Sequence, residues 1–150
     1  MGAAIVAAMA ALAGVFLQAF IGDWRTRSER RRRELRDAIL NVLGAFVRFR
    51  EKQFEKVEAC RTENESVVAA LRPARWEARS ALTTAIDELH ATTADQRLLD
   101  VAETARLLAI EIGDAATPGR VDDAKVAEVG RRAREVHTEL RQAAHRTLNH

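Results

Sequence analysis

The chain has 150 residues, of which 24 are Lys or Arg and 22 are Asp or Glu, with a formal net charge of +2 at pH 7. Tyrosine is absent, there are two prolines, and Ala, Leu, Arg and Glu dominate, a composition that disfavours β-sheet and favours an all-α fold with one soluble domain. The lone cysteine, Cys60, excludes an internal disulfide and any dependence on an oxidising compartment.

In chain order, the first element is the uncharged run Met1–Gly22, whose one strongly polar side chain is Gln18. As a helix it reaches about 33 Å, enough to cross a hydrocarbon core of roughly 30 Å. A cleavable signal peptide requires a basic residue before the apolar run and a small-x-small site after it; no positive charge precedes this run, and Ile21-Gly22-Asp23-Trp24 offers no such site. The sequence therefore predicts a transmembrane anchor over 1–22. Ala3, Ala7, Ala10 and Gly14 recur at steps of 4, 3 and 4, a small-residue face on which a second helix could associate.

Residues 23–36 form a basic juxtamembrane collar. Arg25, Arg27, Arg30, Arg31, Arg32, Arg33 and Arg36 stand against Asp23, Glu29 and Glu34, while the rest of the chain is slightly acidic. The positive-inside rule places this end in the cytoplasm and the N-terminus outside. Trp24 falls where an indole would lie at the headgroup level, and the arginines would attract anionic lipid by about 1 kcal/mol each. Nucleic acid is the less favoured partner, because the charge is confined to the collar instead of forming a basic face on the domain.

Residues 37–150 read as a cytoplasmic helical bundle. Leu35, Ile39, Val42, Phe46 and Phe49 make a helical seam that slips in phase to Phe54 and Val57, and a slip interrupts a regular coiled coil. Thr62 and Glu65 form a candidate capping box before Val67, Val68 and Leu71, and Pro73 closes that segment. Trp76, Leu82, Ile86 and Leu89 share the next expected face, and Thr93 with Gln96 makes a second candidate box. Leu98, Val101, Ala105, Leu108 and Ile112 follow, ending at Gly113 and the turn Thr117-Pro118-Gly119. The last helix, opened by Asp122-Asp123, carries Val126, Val129, Ala133, Val136, Leu140 and Ala144. Short connections predict an elongated antiparallel bundle of three helices, or four if the break near Thr92 is a full reversal. Arg50 and Arg106 are expected to point away from the faces that hold Phe46 and Leu108.

No catalytic, cofactor or metal constellation is legible. His137 and His145 lie eight residues apart, too wide for a one-face chelating pair, and no nucleophile elbow, P-loop or dinucleotide fingerprint occurs. The expectation is a non-enzymatic scaffold with no cofactor and no small-molecule substrate, acting on a second copy or another protein.

The Ala/Gly/Val start closed by Gln18, the segments RTRSERRRRELRDAI and ARWEARSALTTAI, and the Ala/Arg-rich last helix resemble small actinobacterial KilB-like membrane proteins. That resemblance implies a membrane-associated role in plasmid spread. It also supplies the alternative reading, a toxic or transfer-associated kil-type protein that multimerises in the membrane.

Overall fold

The computed structural model describes the backbone of residues 2–62 and 65–149, and side chains from Thr26 onward except at 63, 64 and 150. Residues 1–34 form one unit and Leu35–His150 a second. The helices are α1 (Gly2–Arg61), α2 (Glu65–Ala70), α3 (Arg72–Thr92), α4 (Gln96–Asp114) and α5 (Asp123–Asn149). A two-stranded antiparallel hairpin, β1 (Ala116–Thr117) and β2 (Arg120–Val121), joins α4 to α5.

Within Leu35–His150 the segment of α1 up to Arg61 packs with α3, α4 and α5 as a four-helix bundle, so the break near Thr92 is a full reversal. The cross-contacts fix the directions. Asn41 meets Glu88, which places α3 beside α1. Phe46 meets His137 and Arg61 meets Asp123, which sets α5 antiparallel to α1. Thr147 reaches Asp95 while Lys125 reaches Glu111, which sets α5 antiparallel to α4.

The seam of α1 runs without a slip. Ile39, Val42, Phe46 and Phe49 continue to Gln53, Val57 and Cys60 at steps of 3 and 4, all buried. The expected shift to Phe54 is corrected: a buried glutamine holds the phase, and Phe54 sits half-buried beside Gly130 of α5. Cys60 is the last member of this seam, fully buried in the core.

Several boundary expectations also change. Thr62 donates its hydroxyl backward to the Ala59 carbonyl at 2.8 Å at the end of α1. Pro73 lies in the first turn of α3, where its missing N–H costs nothing, so it opens a helix. The N-cap of α4 is Asp95, whose carboxylate accepts from the Leu98 N–H at 3.2 Å; the Thr93 hydroxyl accepts from the Asp95 N–H at 3.2 Å in the turn before it. Asp122 caps α5 by accepting from the Lys125 N–H at 2.9 Å. Pro118 followed by Gly119 at φ 73° gives the type II turn of the hairpin, a left-handed position that favours glycine. The Gly119 N–H then donates to the Cys60 carbonyl at 3.0 Å, satisfying one of the carbonyls orphaned at the end of α1.

Leu82, Ile86 and Leu89 of α3, Leu98, Ala105, Leu108 and Ile112 of α4, and Val126, Val129, Ala133, Leu140 and Ala144 of α5 complete the core. Arg50 does not point away from it. Its guanidinium lies 5.6 Å from the Phe46 ring centre and carries a buried Nη1 with no partner. No helix among the described residues is long and apolar enough to cross a membrane. The side chains of the expected anchor, with Ala3, Ala7, Ala10, Gly14, Trp24 and Arg25, lie outside the described residues.

Candidate functional site

Two features carry chemistry. The first is the arginine band of the N-terminal unit. Arg30, Arg31, Arg32 and Arg33 are all exposed on one continuous helical stretch. Successive helical residues point about 100° apart, so four in a row encircle the helix instead of forming a stripe. Arg30 pairs with Glu34 at 2.8 Å and Arg33 with Glu29 at 3.6 Å, while Arg31 and Arg32 make no ion pair among the described residues. The two pairs are solvent-exposed, so each contributes no more than about 0.5 kcal/mol. Arg27 and Arg36 are exposed as well.

The second feature lies wholly within Leu35–His150 and was not legible as a site in the sequence. A cavity of about 450 Å³ opens where the short α2 leans on α3. Phe49 and Gln53 of α1, Val68 of α2 and Ile110 of α4 line it together with Arg72, Arg75, Trp76 and Arg79, and Glu65 and Asp114 stand among them. Arg72, Arg75 and Arg79 recur at steps of 3 and 4, which puts three guanidinium groups on one face of α3. The N-terminus of α3 on the same side has no side-chain cap.

Trp76 was expected in the core, but it is 56% exposed. Six residues separate it from Leu82, a rotation of about 120° from the buried face on a 100° helix. Its indole lines the cavity and the Arg79 guanidinium lies 5.4 Å from the ring centre, within cation–π range.

Two of the side chains that line the cavity carry buried, unpartnered polar atoms. Gln53 is 5% exposed and its Oε1 has no hydrogen-bond partner; the Nε of Arg75 is also buried and unpartnered. An unsatisfied buried polar group costs about 1–3 kcal/mol, and two belong to side chains of this one wall. Burial lowers the Arg75 pKa, and the nearby Arg72 charge lowers it further, against Asp114. Behind it the Lys56 ammonium donates to the Gly113 carbonyl at 2.6 Å, closing the end of α4. Its pKa is also lowered, first by burial and then by the charge of Arg75. Gly113 lets Gln53 approach: a Cβ there would lie 2.2 Å from the Gln53 Oε1. Among the described residues no group of three or more His, Cys, Asp or Glu side chains is arranged to hold a metal ion.

The family profile of the KilB plasmid transfer protein matches residues 36–148, the whole bundle from the end of the collar to the last turn of α5. The chain belongs to the KilB plasmid transfer protein family. No curated protein and no solved structure matches it significantly. Membership ties this KilB chain to plasmid-related function, and the matched region contains every lining residue of the cavity but leaves out residues 1–35.

Proposed function

We propose that this KilB-family chain is a non-enzymatic, membrane-anchored interaction protein of plasmid transfer. In this reading the uncharged run 1–22 crosses the bilayer with the N-terminus outside. The arginine band lies in the anionic headgroup layer of the cytoplasmic leaflet, and the bundle presents its surface to a second copy or another protein. The observation that carries the reading is the encircling band at 30–33, exposed on every side of its helix and beginning eight residues past the end of an uncharged run of bilayer length. A ring of charge around a helix suits a planar sheet of headgroups, whereas nucleic acid would call for a stripe on one face.

The test fractionates cells expressing the full chain and fuses topology reporters to its C-terminus. The protein is expected in the membrane pellet after alkaline extraction, with a cytoplasm-active reporter on and an exterior-active reporter off. Replacing Arg30, Arg31, Arg32 and Arg33 with Glu is expected to weaken or invert that orientation. Recovery of the unaltered chain in the alkaline supernatant would overturn the anchor. Growth arrest caused by residues 1–30 alone would favour the kil-type alternative, with association through Ala3, Ala7, Ala10 and Gly14.

A further inference from the structure

Among the described residues, three buried side-chain nitrogen or oxygen atoms lack a hydrogen-bond partner, and two of them, Gln53 Oε1 and Arg75 Nε, belong to side chains lining the same cavity. One is an acceptor and the other a donor. The mouth adds the Arg72 and Arg79 guanidinium groups and the exposed Trp76 indole. Both atoms are shielded within the wall, while Arg72, Trp76 and Arg79 are exposed at the mouth; buried polar groups are ordinarily satisfied, so two unsatisfied ones in the side chains that wall one concave, partly apolar cavity are the pattern of a ligand site.

From this juxtaposition we infer that the α2–α3 cleft binds a small flat aromatic molecule bearing one anionic group, a carboxylate or a phosphate monoester. The three arginines outnumber Glu65 and Asp114 by one charge, which suits a ligand of low negative charge. A guanidinium fork pairs with either oxyanion through two parallel N–H···O bonds. The ring would lie against Trp76, whose indole offers aromatic area already polarised by Arg79. A turn of the Gln53 side chain from Gly113 toward the cavity would let its Oε1 accept from a polar N–H or O–H on the ring. The cavity volume of about 450 Å³ lies within the range of small-molecule sites, and its concavity argues against a flat protein surface as the occupant.

Trp24 and Trp76 are the two tryptophans, so Trp24→Phe leaves Trp76 as the one indole reporter. The full-length variant in detergent micelles, labelled with ¹⁵N, is titrated with phenyl phosphate, benzoate, inorganic phosphate and cyclohexanecarboxylate while the indole N–H resonance is followed. A saturable shift is expected with at least one aromatic anion, and its tighter binder identifies the anionic head. Inorganic phosphate and the saturated ring should bind about tenfold or more weakly, the loss of one ring contact. Arg72→Gln and Arg75→Gln should weaken binding by about tenfold or more, as removal of a charge-assisted bond does. Arg131→Gln, on exposed α5 surface, should leave it unchanged. If Arg75→Gln unfolds the bundle, the exposed Arg72 and Arg79 carry the test through their own Gln variants. Absence of a saturable shift with both aromatic anions, unaltered affinity in Arg72→Gln, or equal binding of inorganic phosphate would overturn the inference.

Discussion

Helices α4 and α2 lie in the same folded unit but are built to opposite rules. In α4, eight of 19 residues are buried, and Asp95 at its start and Lys56 at its end satisfy its terminal groups. In α2, six residues long, none is buried, and it leans on α3 over a cavity instead of closing it. A helix of that length has no stability of its own, because most helical stability in proteins comes from packing. The α4 side of the bundle thus supplies the folding energy, while the α2 corner leaves buried polar atoms unpartnered and an indole exposed. Density on one side is what permits an open, unsatisfied site on the other.

The largest effect that could break this contrast is a core truncation on the dense side. Leu108→Ala and Phe46→Ala remove side chains that are 3% and 0% exposed, and each is expected to cost about 2–5 kcal/mol. Val68→Ala, in the wall of the cleft, should cost about 1 kcal/mol or less, since that side chain is only partly buried. Urea unfolding of the chain lacking residues 1–22 checks both, and equal losses at the two sites would dissolve the distinction. Arg106→Ala belongs with the small effects: its partner Glu103 is three residues away on the same helix face, and such pairs contribute about 0.5 kcal/mol or less.

The same contrast explains what the sequence could tell. Seams at 39–49, 82–89, 98–112 and 126–144 were readable because each buries aliphatic side chains at a strict helical period. Gln53 broke the reading because a polar residue in a seam looks like a phase slip, and only its neighbours in space reveal that it is buried. Trp76 misled in the opposite direction, since a large aromatic near an apolar face is ordinarily core. One signal was available: its six-residue offset from Leu82 is out of phase with the seam, and Arg72, Arg75 and Arg79 share a face around it. The hairpin at 116–121 was visible only as a turn, because two-residue strands carry no period. Thr93 and Asp95 both had cap chemistry, and spacing alone does not say which carboxylate or hydroxyl reaches an N–H.

The cap of α4 gives the next prediction. Asp95 accepts from Leu98 N–H and from the Thr147 hydroxyl of α5, and Asp95→Ala is expected to cost about 1 kcal/mol. The Thr147 hydrogen bond, followed by the Leu98 amide, holds the Asp95 carboxyl below its usual pKa. A depressed carboxyl contributes stability above its unfolded pKa of about 3.9 that is lost as pH falls through the folded value. Asp95→Asn should therefore unfold with a shallower loss between pH 5 and pH 3 than the parent; identical acid profiles would mean the carboxylate charge is not what stabilises the junction.

His137 supplies a second, milder pH effect from the dense side. Burial, then the charges of Arg50 and Arg141, hold the imidazole below its usual pKa, with its ring 5.8 Å from Phe46. The unfolded chain takes up a proton near pH 6.5 before the folded chain does, so stability is full above that value and falls as pH drops below it. His137→Leu should flatten the change in unfolding midpoint between pH 7.5 and pH 5.5, and a parent that gains stability on acidification over that window would contradict this placement.

The smallest expected effect compares two helical glycines, one on open surface and one at the cleft. A Cβ at Gly44 would meet nothing within 4 Å, so Gly44→Ala has only the backbone term and should stabilise the chain by about 0.5–1 kcal/mol. At Gly113 the same backbone gain is opposed, because the new methyl would press on the Gln53 amide, whose Oε1 lies 2.2 Å and Cδ 2.7 Å from it. The glutamine terminus is flexible but buried, and the direction open to it is the cavity it lines. Overpacking of that kind costs about 1–3 kcal/mol in a filled core, and less where an adjoining space accepts the displaced group. Gly113→Ala is therefore expected to be near neutral in unfolding experiments while moving the Trp76 indole resonance, and Gly44→Ala to raise the unfolding midpoint without moving it. A full overpacking loss at Gly113 would mean that Gln53 has nowhere to go, and that the corner beneath α2 is as rigid as the core beside α4.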